Sequence, residues 1–367
     1  MRTVRRLLYR EILGATLFVA AAFLGLFFFI DLVGELDALG ERYTLPQALA
    51  VCVLQVPGHL YELAPIAVLI GTIYALARLA QSSEYTILRT GGLGPGRALW
   101  LLTQLGLAMA AATFVVGDFI APWCDTQATL IESRRQGSLR MQSGGLWLRD
   151  SRAADDGEHR YTVNIGLARS EGEMEQVRIF EFGPHGELRT RTAAARARIG
   201  DDGVWHLEDV VVSAWKPDST PALDPDRRHA RLAWPSTLNR QVVAAAVLPL
   251  RTMSTAALYT YMTHLADHEQ AAQRHEIQFW KKALYPLACL VMMGLALPFA
   301  YLHARAGGVS LKVFGGILLG ISFVLLNHVS GHLGLLHDWT PWLAASAPSA
   351  IYLLMSLAAF SWLVRHR

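Results

Sequence analysis

Six stretches of this chain are apolar over lengths that cross a bilayer, and this limits the fold more than any other feature. They lie at about 12–33, 54–77, 98–120, 284–302, 313–329 and 342–364. A helix needs roughly 20 apolar residues to traverse hydrocarbon. Lipid offers no partner for a backbone N–H or C=O, so such runs fold as helices that satisfy those groups internally. Composition agrees: 53% hydrophobic, 17% charged and a mean hydropathy of +0.29 describe a membrane protein with a soluble part. A net charge of +3 is too small to suggest a nucleic-acid partner.

The distribution of charge says more than its sum. Arg2, Arg5, Arg6 and Arg10 precede the first run, which is too long for a signal h-region and lacks a small-residue cleavage site, so it reads as an uncleaved span. Short loops of one side then carry Arg78, Arg89, Arg97, Arg305 and Lys312, with Arg365 and Arg367 at the end. The alternate loops are poor in basic residues: 34–47 has only Arg42 against Glu35, Asp37 and Glu41, and 331–341 has none. The positive-inside rule therefore expects both termini in the cytoplasm. Trp100, Trp339, Trp342 and Trp362 stand at span edges, where aromatic belts form.

Residues 121–253 fall on the far side by the same count, and they do not read as helix. Alternating stretches at 160–166, 176–182, 193–199 and 204–213 read as strands. Turn signals separate them: Asp156-Gly157, Gly183-Pro184, His185-Gly186 and Asp202-Gly203. Short strands at this spacing predict an all-β sandwich or jelly roll. From 254 to about 279, Leu258, Tyr261, Met262 and Leu265 recur at helical spacing. The expected fold is a membrane α-helical bundle of six spans with an inserted all-β, jelly-roll-like domain. Residues 1–120 hold three spans, 121–253 the β domain, and 254–367 a connecting helix and three more spans.

The one polar break between long apolar runs on the basic side is 78–97. Ser82 or Ser83 can cap a helix there by accepting a free first-turn N–H. Glu84 follows in the first turn, where the helix dipole favours an anion. Tyr85, Ile87 and Leu88 give the helix an apolar side, Arg89 sits near its end, and Gly91, Gly92, Gly94, Pro95 and Gly96 stop it. Two readings stand: a helix pinned at the membrane face as a handle for a soluble partner, or a connecting loop with a helical turn.

Chemistry-bearing patterns are few. The glycines at 91–96 lack the Gly-Lys-Ser/Thr ending that holds phosphate and metal, so the chain is not expected to hydrolyse ATP. His328 and His332 stand four apart with His337 nearby, but without the glutamate of a zincin motif they read as interfacial. His264, His268 and His275 lie on a polar helical face, where solvated surface is the default. Cys52, Cys124 and Cys289 read as three buried thiols rather than a disulfide framework. Charges inside spans are costly, so Asp31, Glu62, Asn327 and His328 carry weight; together they suit the wall of a cavity open to the outer side, while each taken singly reads equally as an interfacial residue reaching headgroups. Basic residues gather at the same sequence level: Arg134, Arg135 and Arg140 after the third run, and Lys281 and Lys282 before the fourth. They offer charge-assisted contacts to the phosphates of an amphiphile, or a plain basic surface.

Three spans, a β domain and three spans, with an L-A-Q-S-S-E helix on the inner side, resemble the LptF/LptG permease family of lipopolysaccharide export. The resemblance covers nearly the whole chain and is closest to the LptG branch at PIAVLIGTIYALARLAQSSE (65–84), GLWLRD (145–150), FWKKALYPL (279–287) and APSAIYLL (347–354). It implies a non-catalytic permease subunit in the inner membrane, paired with an LptF-type permease and driven by an LptB-type ATPase dimer. ATP and Mg belong to that ATPase; no cofactor is implied for this chain. It implies a coupling helix at about 81–90, with Ser82, Ser83, Glu84, Tyr85, Ile87, Leu88 and Arg89 meeting the ATPase. It implies a lateral opening between the first and fifth spans of paired permeases, where Phe23, Phe27, Phe28 and Ile30 would line the acyl chamber or simply face lipid, with Asp31 a further candidate lipid contact. LptC-type and LptA-type periplasmic jelly rolls would receive the lipid. LptG-type members carry lysines near the end of the first span; here Phe28, Gly34 and Glu35 occupy that neighbourhood, and Arg134, Arg135, Lys281 and Lys282 are the candidates to replace them. Two rivals are a membrane-anchored scaffold with a periplasmic binding domain and a stand-alone ion-coupled transporter.

Overall fold

The computed structural model describes residues 2–37, 39–40, 43–82, 84–136, 145–154, 157–168, 173–200, 203–215, 226–238, 242–243, 253–267, 273–301 and 308–365. Ser83, Arg42, Arg140, Asp156, Asp202, His268, Arg305 and Arg367 therefore lie outside the described residues, as do the side chains of Arg89, Arg134, Arg135 and His264. The chain divides into two compact units, one of 1–39, 48–125 and 273–367, the other of 40–47 and 126–272.

The first unit is helical. Helix α1 is Arg2–Leu36, α2 Leu45–Gln81, α3 Glu84–Thr90 and α4 Pro95–Val115. A π-helical turn, Val116–Ile120, joins α4 to α5, Ala121–Gln136. The third apolar run therefore does not stop at 120: the helix carries on, and the stretch Pro95–Glu132 is long and apolar enough to span as one element. Helix α7, Gln273–Leu284, meets α8, Leu287–Ala296, at a 52° bend, and a 3-10 turn Leu297–Ala300 follows. The fourth expected span is thus a broken one. Pro286 removes a backbone donor, and the break splits what the sequence suggested as a connecting helix followed by a straight span. Helices α9, Val309–Leu336, and α10, Pro341–Arg365, complete the set. Among the described residues, five helices are long and apolar enough to cross a membrane, six spans if the bent pair counts as one.

Helix α2 is the axis of this unit. In its most apolar window 78% of residues are buried, against 17% for α1. It runs unbroken through Pro57 and Pro65. Its inner half supplies Val68, Leu69, Ile73, Leu76 and Leu79 to a core shared with Leu8 and Ile12 of α1, Leu102 of α4, Met292 of α8 and Phe323 of α9. Small residues let the helices close up, as bilayer packing requires. A Cβ on Gly71 would lie 2.6 Å from the Cα of Thr16, so α1 and α2 touch backbone to backbone there. The three cysteines are buried and free.

The second unit carries the strands β1 Leu146–Ala154, β2 Gly157–Ala168, β3 Glu173–Phe182, β4 Leu188–Ile199, β5 Val204–Ala214 and β6 Arg227–Pro235. They form one antiparallel sheet in sequence order, each strand bonded to the next. The all-β insert is thus as read, with β1 and β6 flanking the four strands legible in the alternation. One face is apolar: Leu148, Val163, Ile165, Val177, Ile179, Trp205 and Leu207 are buried. The Trp205 indole donates to the Leu238 carbonyl at 2.9 Å, which satisfies the one polar atom of the largest core side chain. Helix α6, Thr255–Asp267, follows the sheet and buries Leu258 and Tyr261.

The buried face changes phase along one transverse row. Inward residues step by three at Met174 to Val177, Ala194 to Ala197 and Leu207 to Val210, where strands otherwise step by two. The register places Gln176, Ala195 and Asp209 side by side in that row. Gln176 and Asp209 both have left-handed backbones, φ 56° and 52°. β3 and β5 make the step at these left-handed residues, β4 makes it at Ala195 without one, and pairing register is kept across all three.

Candidate functional site

Helix α3 is seven residues long and half sunk in the bundle. Tyr85 is buried and its ring meets that of Tyr301 edge-on at 5.3 Å. Leu88 packs against the same core, and Leu93 behind it is buried. The opposite side is open: Glu84 is exposed and Ile87 is 68% exposed. The end is closed by amide donation from Gly91 to Ile87 and from Leu93 to Leu88, with Gly92 left-handed at φ 98° and Arg97 donating to the Gly92 carbonyl at 3.0 Å. This is the glycine stop expected of such a turn. Ser82 does not cap α3: its hydroxyl donates to the Leu79 carbonyl at 3.3 Å, back into the last turn of α2. The helix dipole still finds an anion in Glu84.

The helices that flank α3 are tied to one another. Arg78, at the end of α2, pairs with Glu11 of α1. Tyr9 of α1 donates to the Leu101 carbonyl of α4 at 3.0 Å. These contacts join α1 to α2 and to α4 at the level where α3 leaves the end of α2.

At the other end of α1 the candidate lipid-facing residues are divided. Ile30 is 53% exposed, whereas Phe23, Phe27, Phe28 and Asp31 are half-buried. Asp31 accepts a hydrogen bond from Nε2 of His59 on α2 at 2.7 Å, and the Phe27 ring stacks on the same imidazole at 5.0 Å. Sequence reading singled out Asp31 and passed over His59. The available signal was an acid in a span, which needs a partner, and a lone histidine six residues before Pro65.

A second polar knot sits where α7 breaks. Tyr285 donates to the Glu62 carbonyl at 2.5 Å, Tyr61 donates to the Lys282 carbonyl at 3.3 Å, and the two phenol rings lie 5.0 Å apart. The π-turn brings Gly117 against the Tyr61 ring so closely that a Cβ would overlap it. π-bulges of this kind recur at functional sites. Lys282 is half-buried here and feels the carboxylates of Asp118 and Asp125. Asp118 is a charge within the third span that the sequence reading did not weigh. Lys281 behaves differently: its ammonium donates to the Asn327 carbonyl of α9 at 2.7 Å and lies over Gly331. Arg134 and Arg135 end α5 in the second unit.

The sheet has its own polar sites. Glu181 accepts from Thr190 at 2.6 Å, from His159 Nδ1 at 2.8 Å and from Tyr161 at 3.2 Å. Arg189 donates to His159 Nε2 at 3.2 Å, and since a guanidinium only donates, His159 holds its proton on Nδ1. Burial opposes ionisation of Glu181, but these three donors outweigh it and hold the carboxyl below its usual range. Burial, then the Glu181 charge, push the Tyr161 phenol up. On the opposite end the register aligns Glu175, Arg196, Glu208 and Arg231 in one row of alternating charge. Two hollows of ≈ 410 and ≈ 470 Å³ lie along it.

Comparison with known proteins follows the same outline. A family model described as "Lipopolysaccharide export system permease LptF/LptG" matches residues 6–363. The lipopolysaccharide export system permease protein LptG of Escherichia coli K12 is 27% identical over 361 residues, covering 96% of this chain and 94% of that protein. The LptG protein of Haemophilus influenzae is 24% identical over 359 residues, 97% of each chain.

Proposed function

Because the chain belongs to the LptF/LptG family of lipopolysaccharide export permeases, we propose that it is the LptG-type half of an ATP-driven exporter of lipopolysaccharide. It pairs with an LptF-type permease in the inner membrane, with both termini and α3 in the cytoplasm and the sheet in the periplasm. An LptB-type ATPase dimer binds ATP and Mg and does the hydrolysis. This chain contributes no catalytic group and takes up the resulting motion.

The observation that carries this reading is α3: a short helix between two spans, anchored by Tyr85 and Leu88 and offering Glu84 and Ile87 outward. Closure of the ATPase pushes on that exposed side, and the Arg78–Glu11 pair passes the push to α1. Lipid acyl chains lie along Phe23, Phe27, Phe28 and Ile30. Its phosphates meet basic side chains that stand in for the lysines absent near Phe28, Gly34 and Glu35: Lys282 is one candidate, and Arg134 and Arg135 at the end of α5 are separate ones. LptC-type and LptA-type proteins accept the lipid from the periplasmic side.

The test is mass spectrometry of the complex purified from native membranes. A second permease, a small Walker-type ATPase and bound lipopolysaccharide are expected. A chain that purifies without any ATPase, or that transports alone, overturns the proposal and favours a scaffold or an ion-coupled carrier.

A further inference from the structure

Helix α1 is the least buried of the apolar helices, yet it touches α2 at three separated levels. Near its start Glu11 pairs with Arg78. In the middle the backbones meet at Thr16 and Gly71, where a Cβ would come within 2.6 Å of Cα. The Thr16 and Thr72 hydroxyls at this crossing are buried with no hydrogen-bond partner among the described residues, so steric contact rather than polar bonding defines it. The third level is the Asp31–His59 hydrogen bond with its Phe27 stack. Asp31 lies about 22 Å along α1 from the crossing and His59 about 18 Å along α2, at 1.5 Å per residue.

Two rods that cross at one close point diverge on either side of it. Beyond the crossing, α1 leaves Leu26, Phe29, Ile30 and Val33 exposed, so little apolar packing holds its far half. The imidazole and carboxylate span the gap. We propose that the Asp31–His59 bond is a releasable latch on α1, which rocks about the Thr16–Gly71 crossing when the Glu11–Arg78 end is pushed. With the latch closed, Phe27 is pinned to His59 and the Phe23, Phe27 and Phe28 face stays against α2. With it open, that face swings away from α2 and is freed to meet an amphiphile at the opening beside α1. Only the identity of that amphiphile rests on the permease reading; the latch itself does not.

The experiment measures the hinge directly. Spin labels go on Phe29→Cys and Val53→Cys, both exposed positions, in full-length chain with Cys52, Cys124 and Cys289 replaced by Ala, reconstituted in lipid nanodiscs. The unmodified pair gives one short distance. Asp31→Asn and His59→Gln each raise the long-distance fraction about tenfold, the effect of losing one charge-assisted hydrogen bond. The swap Asp31→His with His59→Asp restores the short distance. Single variants that keep the original distribution overturn the latch, and so does a swap that stays as open as the singles. Asp31→Asn is nearly isosteric and decides the matter alone where other variants do not fold. Loss of lipid export with unchanged distances counts against the latch, whereas open distances in a chain that never binds lipopolysaccharide count against the permease reading only.

Discussion

Tyr85 meets Tyr301 edge to face at 5.3 Å, and both rings belong to the same core as Leu79 and Leu93. Helix α3 is therefore a knob set into the bundle, with one buried ring as its root. Truncating a large buried side chain of this kind costs about 3–5 kcal/mol. On the proposed function, Tyr85→Ala is expected to leave ATP hydrolysis by the complex running while lipid release falls, because a loosened knob would no longer transmit force. Tyr85→Phe keeps the ring contact and should restore release. Ile87→Asp, on the open side, should instead reduce co-purification of the ATPase without moving the melting temperature of the permease.

The ammonium of Lys281 is engaged inside the protein. It donates to Asn327 and covers Gly331, joining α7 to α9. A hydrogen bond from a charged donor contributes about 1.5–3 kcal/mol. Lys281→Met should therefore lower the melting temperature of the chain in detergent and leave lipopolysaccharide photocrosslinking near normal. Lys282→Gln should do the reverse. A Lys281→Met chain that melts normally but loses crosslinking would make Lys281 a lipid ligand.

Both the span pattern and the insert were legible because each has a strong period: long apolar runs for the helices, alternation for β2 to β5. The break at Tyr285-Pro286 was harder to see, because a proline within an apolar run is compatible with a kink as much as with a stop. Continuation of α4 into α5 through a π-turn was hidden for a related reason: residues 121–136 are polar enough to read as loop, and helix there depends on what precedes it. The site was legible in part. Tyr85 and Leu88 turn inward as their spacing gives, but Ile87, read onto the same apolar side, is 68% exposed beside Glu84, because a seven-residue helix set half into the bundle buries only the Tyr85–Leu88 side. His59 was missed because the partner of Asp31 is set by how α1 crosses α2, and that depends on Thr16 and Gly71, two small residues with no chemical signature of their own. Ser82 turned out to serve α2 rather than α3, a choice of one hydrogen bond that propensity alone does not decide.

Glu181 gives the sheet a pH limit. Burial raises the cost of its charge, yet bonds from Thr190, His159 and Tyr161 hold its folded value below the ordinary 4.5. A depressed carboxylate contributes stability that is present above 4.5 and is lost as pH falls toward the folded value. Melting of the second unit should therefore drop on acidification below about 4.5, followed by calorimetry of the full chain. Glu181→Gln should start lower and show a flatter acid limb. An unchanged slope would remove Glu181 from the account.

Two of the three strands that change phase do so at side-chain-bearing residues with left-handed backbone, Gln176 and Asp209, and these differ in how well they tolerate it. Asp at positive φ is common enough, because its short side chain bonds locally; Gln is less suited, and a β-branched residue is an outlier. The left-handed conformation costs an L-residue roughly 1–2 kcal/mol, and glycine nearly nothing. Gln176→Gly should thus be neutral or stabilising despite its strand position, and Asp209→Gly should be close to neutral. Asp209→Val, which restores high strand propensity, should destabilise the sheet by about 1–3 kcal/mol because the backbone it needs is strained. The reading is a ranking of melting temperatures: Gly at or above the native residue, Val below it at both positions. If Val ranked above Gly at 176 and 209, the strands would prefer ordinary pleating there. The three-residue steps at Met174–Val177, Ala194–Ala197 and Leu207–Val210 would then need another cause.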